Sequence, residues 1–207
     1  LCGGCDLQHL DPAAQEEARR EILRDCLQRL GRLDIGDRIG PTPDGPVRGY
    51  RHRIRLAAHP NGHYGLRQRG SHDVVPIGEC LVMAEPFEAT VLPWLRFLPP
   101  VDQIVVRLDG RGGWLVSLYG PPARQKPLKR QLAESGDDAP APGLQGVLLN
   151  NRPQWGRTYL VVHVAGHKYR VSHQSFFQAN LAAAETAVDT VRSWLDEVVP
   201  GSRDLAD

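Results

Sequence analysis

No run of this 207-residue chain approaches the roughly 18 consecutive apolar residues of a membrane-spanning helix, and no basic start leads into an apolar stretch of the secretory kind. Both absences set the expectation of a soluble, cytoplasmic protein with no membrane partner. Cysteine is scarce. Cys2, Cys5, Cys26 and Cys80 are too few and too scattered for a disulfide scaffold, and a chain of this length builds a core without one. Thiols kept reduced in a cytosol stay free to act as ligands. Net charge is nearly absent at +1, so attraction to a polyanion has to come from local clustering. No internal repeat is evident. Disorder is not the default either, because 41% hydrophobic and 24% charged residues is ordinary globular composition.

What is present falls into helical and period-two segments. Residues 11–30, DPAAQEEARREILRDCLQRL, predict a helix capped by Asp11, with Pro12 in its first turn and a stop at Gly31. Ala18, Ile22, Cys26 and Leu30 recur at i, i+4, so Cys26 is expected as a small buried core residue and not a ligand. YRHRIRLAAH (50–59) and HYGLRQR (63–69) alternate on either side of Pro60-Asn61-Gly62 and predict a hairpin, followed by a short strand over 74–77. A short helix is expected over 87–97. VDQIVVRLD (101–109) and GWLVSLYG (113–120) predict a second hairpin, and residues 121–143 either a surface helix or a linker. LQGVLLNN (144–151) and TYLVVHVAG (158–166) read as further strands. HKYRVSHQSFFQAN then leads into a helix over 181–198 capped by Asn180, with Ala184, Val188, Val191, Trp194, Leu195 and Val198 on one face. The order implies an α+β fold, a mainly antiparallel β central domain over residues 1–170 with flanking helices.

Acid is also missing locally. Between Asp44 and Asp73 there is none, while Arg48, Arg51, Arg53, Arg55, Arg67 and Arg69 all fall in that interval. On a strand Arg51, Arg53 and Arg55 project to one face while His52, Ile54 and Leu56 project to the other. The return strand brings Arg67 and Arg69 towards the same surface, making a basic strip. Arginine's planar fork suits phosphate oxygens. Tyr50, Tyr64 and the neighbouring histidines add rings on which unpaired bases can stack. An RNA-binding surface is expected, weighed against a solvated face with ion pairs to distant acids.

The Cys2-Gly-Gly-Cys5 pair and Cys80 are less decisive by themselves. Zinc commonly takes a second C-x-x-C or a His pair, and Cys80 stands alone in GECLVM. A thioredoxin-type dithiol opens a helix after a strand. Neither pattern is met, and metal clamp, iron–sulfur clamp and redox dithiol all stay open on spacing.

Taken together, CGGCDLQHL, YRHRIRL, GLRQRGSHDVVPIGEC and RVSHQSFFQAN resemble, in order and separation, the bacterial RNA uracil-5-methyltransferases, which make 5-methyluridine in ribosomal and transfer RNA. The resemblance spans nearly the whole chain. It implies Cys2, Cys5 and Cys80 as ligands of a structural [4Fe–4S] cluster, a group that takes four thiolates; the family's first ligand lies a few residues before the C-G-G-C, where only Leu1 stands here. It implies Gln178 as a contact to S-adenosylmethionine. Phe176, Phe177 and Asn180 become pocket-shaping candidates beside their plainer roles of packing and capping.

The resemblance further implies that residues 171–207 are a linker helix and the start of a class I, Rossmann-like methyltransferase domain that is truncated, with RDLAD opening its first strand. No catalytic residue is expected in this chain. The cysteine that attacks C6 of uracil and the base that removes the C5 proton have no matching motif, so residues 1–207 alone are expected not to methylate RNA. Ribosomal RNA of the 23S type is favoured over transfer RNA as partner, with the protein a monomer. Two rival readings stand beside this one: a non-catalytic, metal-stapled RNA-binding module, and a thiol oxidoreductase with a reversible Cys2–Cys5 disulfide.

Overall fold

The computed structural model describes residues 2–35, 37–134 and 138–198. Its centre is a seven-stranded sheet in the order β3-β2-β1-β4-β5-β6-β7. The strands are β1 Arg53–Ala58, β2 Tyr64–Arg67, β3 Val74–Pro76, β4 Gln103–Leu108, β5 Trp114–Tyr119, β6 Leu144–Leu149 and β7 Arg152–Gly156. Neighbours are antiparallel except β5 and β6, whose parallel pairing needs a long crossover. Residues 120–143 supply it. The segment expected as surface helix or linker contains α3, Gln125–Ala133, which buries Leu128 and Leu132 against the sheet.

The predicted hairpins form at the expected turns. Ala57 pairs with Gly65 and Ala58 with Tyr64 across Pro60-Asn61-Gly62, and Leu108 pairs with Trp114 across the second turn. Two strands are not foreseen by the sequence pattern. Asn150 and Asn151, expected to end a strand, both have positive φ (48° and 65°) and turn the chain from β6 into β7. Pro153 is tolerated there because, among the described residues, β7 pairs on one side only. Residues 167–172, expected as a lead-in to the last helix, are β9 His167–Ser172, which pairs with β8 Tyr159–Val164 in a separate hairpin.

Pleating divides the sheet into two unlike faces. One face carries Leu56, Ile104, Val106, Trp114, Val116, Leu118 and Val147 into the main core. Phe87 and Val91 of a π-helical turn and Leu92 and Leu95 of α2, Leu92–Leu95, join them there. The other face carries Leu115 and Leu148 at the β5–β6 end, where Leu160, Val162 and Val171 of the β8–β9 hairpin and Leu181 pack over them. At the β1–β2 end this second face carries the arginines.

The terminal helices form as expected but do not bury what periodicity assigns to them. In α1, Pro12–Asp25, Asp11 accepts from the Ala14 amide as N-cap (2.9 Å), and a π-helical turn over Cys26–Leu30 follows. Cys26 is exposed, with Ile22 55% and Leu30 72% exposed beside it. The expectation of a buried Cys26 is corrected: the apolar stripe exists, but Ile22, Leu23, Cys26 and Leu30 along it stay open to solvent. Asn180 caps α4, Leu181–Val198, by accepting from the Ala183 amide (3.0 Å). Only Leu181 of α4 is buried; Val191, Trp194, Leu195 and Val198 are exposed. RDLAD, expected to open a further strand, lies outside the described residues.

Candidate nucleic-acid interface

The alternation in β1 is the one expected, with Ile54 and Leu56 buried and Arg55 exposed. The arginines do not, however, form one uniform strip. Arg53 pairs in register with Arg107 of β4, and Arg107 is only 6% exposed. Burial, and then the neighbouring guanidinium of Arg55 for Arg53 and of Arg53 for Arg107, holds both side chains below the usual arginine range. Arg107 Nη2 donates to the Ser175 carbonyl, and the Nε atoms of both arginines are buried without a partner among the described residues. Arg53 therefore belongs as much to the underside of the Ser172-to-Asn180 loop as to the open surface. Arg107 was missed by sequence reasoning because it sits in an apolar run, and its place opposite Arg53 emerges only from the β1–β4 register.

Arg55 and Arg67 remain open. With Gly3, Gly4, Asp102 and Gln103 they line a cleft of about 420 Å³. Arg67 Nη1 lies 2.8 Å from His72 Nδ1, and Arg51 Nη1 donates to the Gly4 carbonyl (3.4 Å) while its backbone is held between Val82 and Ala84. Arg69 meets Asp6 at 3.6 Å, an acid distant in sequence but adjacent in space. Both partners are well exposed, so the pair is weak. Tyr64 is corrected as a stacking candidate: its ring is in the core and its hydroxyl accepts from the Val101 amide (3.1 Å). Tyr50 stays half-buried and opens on a larger groove of about 840 Å³ between the N-terminal loop and α4.

The Cys-Gly-Gly-Cys loop docks on the return strand of the basic hairpin. The Gly3 amide donates to the Arg67 carbonyl (2.8 Å), and Cys2 bridges to Gln68. A Cβ on Gly3 would lie 2.8 Å from the Arg69 nitrogen, closer than real Cβ atoms come, so this approach demands glycine. Cys5 is the thiol that feels the result: burial pushes it up, and Cys80 and then Cys2 push it further, which places all three in one electrostatic neighbourhood. Thiol chemistry suits iron, but three donors fall one short of a four-thiolate cluster. Among the described residues, no group of three or more Cys, His, Asp or Glu side chains is arranged to hold a metal ion.

Gly3→Ala should lift this loop from β2 at a cost of about 1–3 kcal/mol. The check is a lowered melting temperature together with faster alkylation of Cys2 and Cys5; unchanged alkylation would show that the close approach does not hold the loop.

Gln178 is exposed in the loop joining β9 to α4. That loop is pinned at several points. His173 N–H donates to the Thr158 carbonyl (3.0 Å), His52 N–H to the Ala179 carbonyl (2.7 Å), and the Ser172 and Ser175 hydroxyls share a hydrogen bond (2.7 Å). Phe177 packs on Tyr169, ring centroids 5.5 Å apart, whereas Phe176 is 83% exposed. Packing thus accounts for Phe177 and leaves Phe176 free. Gln178, Arg53 and Arg107 line one small cavity with Phe177 and Leu181, so the loop and the inner arginines form a single unit.

Arg107→Met tests this anchorage. The lost charge-assisted hydrogen bond is worth about 1.5–3 kcal/mol, but relief of two buried like charges offsets much of it. Stability should change by less than about 1.5 kcal/mol, while hydrogen exchange in residues 172–180 quickens. Unchanged exchange would remove Arg107 as the anchor.

No family model matches the chain. Among curated proteins it is similar to an uncharacterized RNA methyltransferase of Streptomyces avermitilis, 29% identical over 229 aligned positions that cover 99% of this chain and 48% of the relative. It is also similar to a 23S rRNA (uracil(1939)-C(5))-methyltransferase of Halomonas elongata, 33% identical over 231 positions covering 99% of this chain and 46% of the relative. The chain thus spans about half the length of the curated relatives it matches. Among solved structures it resembles the Pyrococcus abyssi tRNA (uracil-54, C5)-methyltransferase in complex with S-adenosyl-L-homocysteine. That match has a TM-score of 0.65 and 20% identity and covers 93% of this chain and 50% of the other, a likeness of fold.

Proposed function

This chain is a relative of the RNA uracil-C5-methyltransferases, and on that premise we propose that the protein carrying it methylates uridine C5 in RNA, with 23S ribosomal RNA as substrate. The observation that carries the reading is the open arginine face beside the Gln178 loop. Arg55 and Arg67 offer guanidinium donors to phosphate oxygens, with Arg51 and the Asp6-paired Arg69 at their margin, and the loop that Arg107 anchors borders that face.

S-adenosylmethionine, when bound, supplies the methyl group. Gln178 offers it a side-chain amide that can both donate and accept, on a loop fixed by the His52 and His173 backbone bonds. Phe176 is exposed next to it and presents a ring face to an unstacked base. No residue of this chain is assigned the nucleophile or the proton-abstracting base. Cys2, Cys5 and Cys80 are the thiolates the family resemblance would give to a [4Fe–4S] cluster, which, if completed by a further ligand, would staple the N-terminal loop beside Arg67 and supply no step of methyl transfer. The protein acts in the cytoplasm as a monomer, and among the described residues no helix is long and apolar enough to cross a membrane.

The test is methyl transfer from labelled S-adenosylmethionine by the full gene product, offered 23S ribosomal RNA and transfer RNA transcripts side by side. 5-Methyluridine in the ribosomal transcript, with a raised KM for S-adenosylmethionine in Gln178→Ala, is the expected result. Label confined to transfer RNA would overturn the substrate, and no 5-methyluridine in either would overturn the function. Iron and acid-labile sulfide in an anaerobic preparation, lost together in Cys5→Ser, test the cluster separately.

A further inference from the structure

A second acid-free interval lies far from the first. No Asp or Glu occurs between Asp138 and Glu185, while Arg152, Arg157, Lys168 and Arg170 all do. The fold places two of these cations, Lys168 and Arg170, on β9 of the β8–β9 hairpin and brings Arg157, in the link that enters β8, against the same hairpin through Tyr159. Val161 pairs with Arg170 and His163 with Lys168, so Tyr159, Val161 and His163 share one face with Lys168 and Arg170. The opposite face, with Leu160, Val162 and Val171, packs on the sheet. The cationic face therefore points away from the core.

Tyr159 organises this face. The Arg170 guanidinium carbon lies 4.0 Å from its ring centroid and that of Arg157 6.0 Å. Cation–π attraction holds two like charges against one ring. Among the described residues, neither Arg157, Lys168 nor Arg170 forms an ion pair. Gathering two guanidiniums with no carboxylate does little for stability, but it leaves their N–H edges free to donate to an anion.

The orientation says which anion. The hairpin covers Leu115 and Leu148, and cross-strand register puts these on the same face of the sheet as Arg53 and Arg55: Arg53 pairs with Arg107 and Arg107 with Leu115, Arg55 with Val105, Val105 with Ser117, and Ser117 with Leu148. The open arginine face and the outer face of the hairpin thus look to the same side of the molecule. The loop with the exposed Phe176 and Gln178 joins β9 to α4 on that side, tied through His52 to the start of β1.

We infer that the outer face of the β8–β9 hairpin, built on the Arg157–Tyr159–Arg170 stack with Lys168 beside it, is a second RNA-backbone contact surface. It grips the strand on the far side of the Gln178 loop from Arg55 and Arg67. The inference rests on the RNA reading proposed above. Two separated phosphate grips on either side of an exposed ring let the backbone be held at both ends while a base between them leaves its stack.

The experiment is a salt titration of binding to a labelled oligouridine by the wild-type chain, by the double variant Arg157→Gln/Arg170→Gln, and by Arg55→Gln/Arg67→Gln. Removing one cation from a phosphate of a single strand lowers the slope of log K against log salt by about 0.7, so the first double variant should fall by about 1.4 in slope and on the order of tenfold in low-salt affinity. Its melting temperature should not move. Should it melt early, Arg170→Lys keeps the charge and loses the planar fork, and weaker binding at the wild-type slope is then expected; wild-type affinity would overturn the proposal. An unchanged slope in Arg157→Gln/Arg170→Gln, with a reduced slope in Arg55→Gln/Arg67→Gln, removes the second surface and leaves the RNA reading standing. Wild-type chain that binds no oligouridine overturns both. Phosphatidylserine vesicles are the control: vesicle binding lost in Arg157→Gln/Arg170→Gln while RNA binding persists would overturn the proposal in favour of a membrane surface.

Discussion

Replacing Trp114 by alanine should lower the stability of this chain by about 3–5 kcal/mol, the range for truncating a wholly buried aromatic side chain. Trp114 is wholly buried and opens β5, where it pairs with Leu108 of β4 and Leu144 of β6. Its ring meets Trp94 edge to face, centroids 5.2 Å apart and planes at 73°, an arrangement worth about 0.5–1.5 kcal/mol beyond the area buried. Its indole N–H donates to the Pro142 carbonyl (2.8 Å), the last turn of the crossover before β6. Alanine opens a cavity, dissolves the ring pair and orphans that carbonyl, and all three effects are destabilising. For a chain of this length the melting temperature should fall by roughly 10 °C. Urea titration checks it: the midpoint should drop with the slope unchanged. Trp114→Phe keeps most of the packing and should cost about 1–2 kcal/mol, chiefly the hydrogen bond. A destabilisation below about 1 kcal/mol for alanine, well under the range for a buried tryptophan, would mean that Trp114 does not tie the crossover to the sheet.

Much of the arrangement around Trp114 and Arg55 is legible in the sequence, and where it is not, the reasons are specific. Strict alternation in RHRIRL together with Pro60-Asn61-Gly62 determines both the hairpin and which side chains share its faces, because the period of a strand is two. The same parity places Tyr64 opposite Ala58, on the side of Ile54 and Leu56, so its burial could have been read once the turn was placed. β7 and β9 were hidden by their turns: Asn150-Asn151 and Ala165-Gly166 adopt positive φ, a conformation that neither an Asn pair nor Ala signals as clearly as Asn-Gly. Cys26 marks a different limit. Periodicity tells which side of a helix is apolar, and nothing about whether another element covers it. Asp6 beside Arg69 marks a third, since local absence of acid says nothing of acids brought in by the fold. The roles of Gln178 and of the three cysteines come from family resemblance and not from any spacing a single chain displays.

The open arginines should separate sharply from the paired and buried ones when RNA binding is measured. Arg55→Ala/Arg67→Ala should weaken RNA binding by on the order of tenfold or more at low salt and flatten the salt dependence by about 1.4, two phosphates at roughly 0.7 each. Neither side chain has an acidic partner within ion-pair distance among the described residues; Arg67 meets only His72. Their charge is therefore available to phosphate. Arg69→Ala should do much less, because Asp6 already answers part of its charge. Asp6→Asn should accordingly tighten binding by freeing Arg69 and removing a repelling carboxylate next to the Gly3-Gly4 loop. Arg53→Ala belongs to a third class. Its guanidinium is half-buried beside Arg107 and its Nε is turned from solvent, so its removal should act on the loop above it and leave the salt slope nearly untouched. The ordering can be read from one series of salt titrations: a large slope change for Arg55 and Arg67, a small one for Arg69, almost none for Arg53, and a gain in affinity for Asp6→Asn. Equal effects at all four arginines would mean that a diffuse positive field attracts the RNA, and that the cleft between Arg55, Arg67 and the glycine loop is not where a phosphate sits.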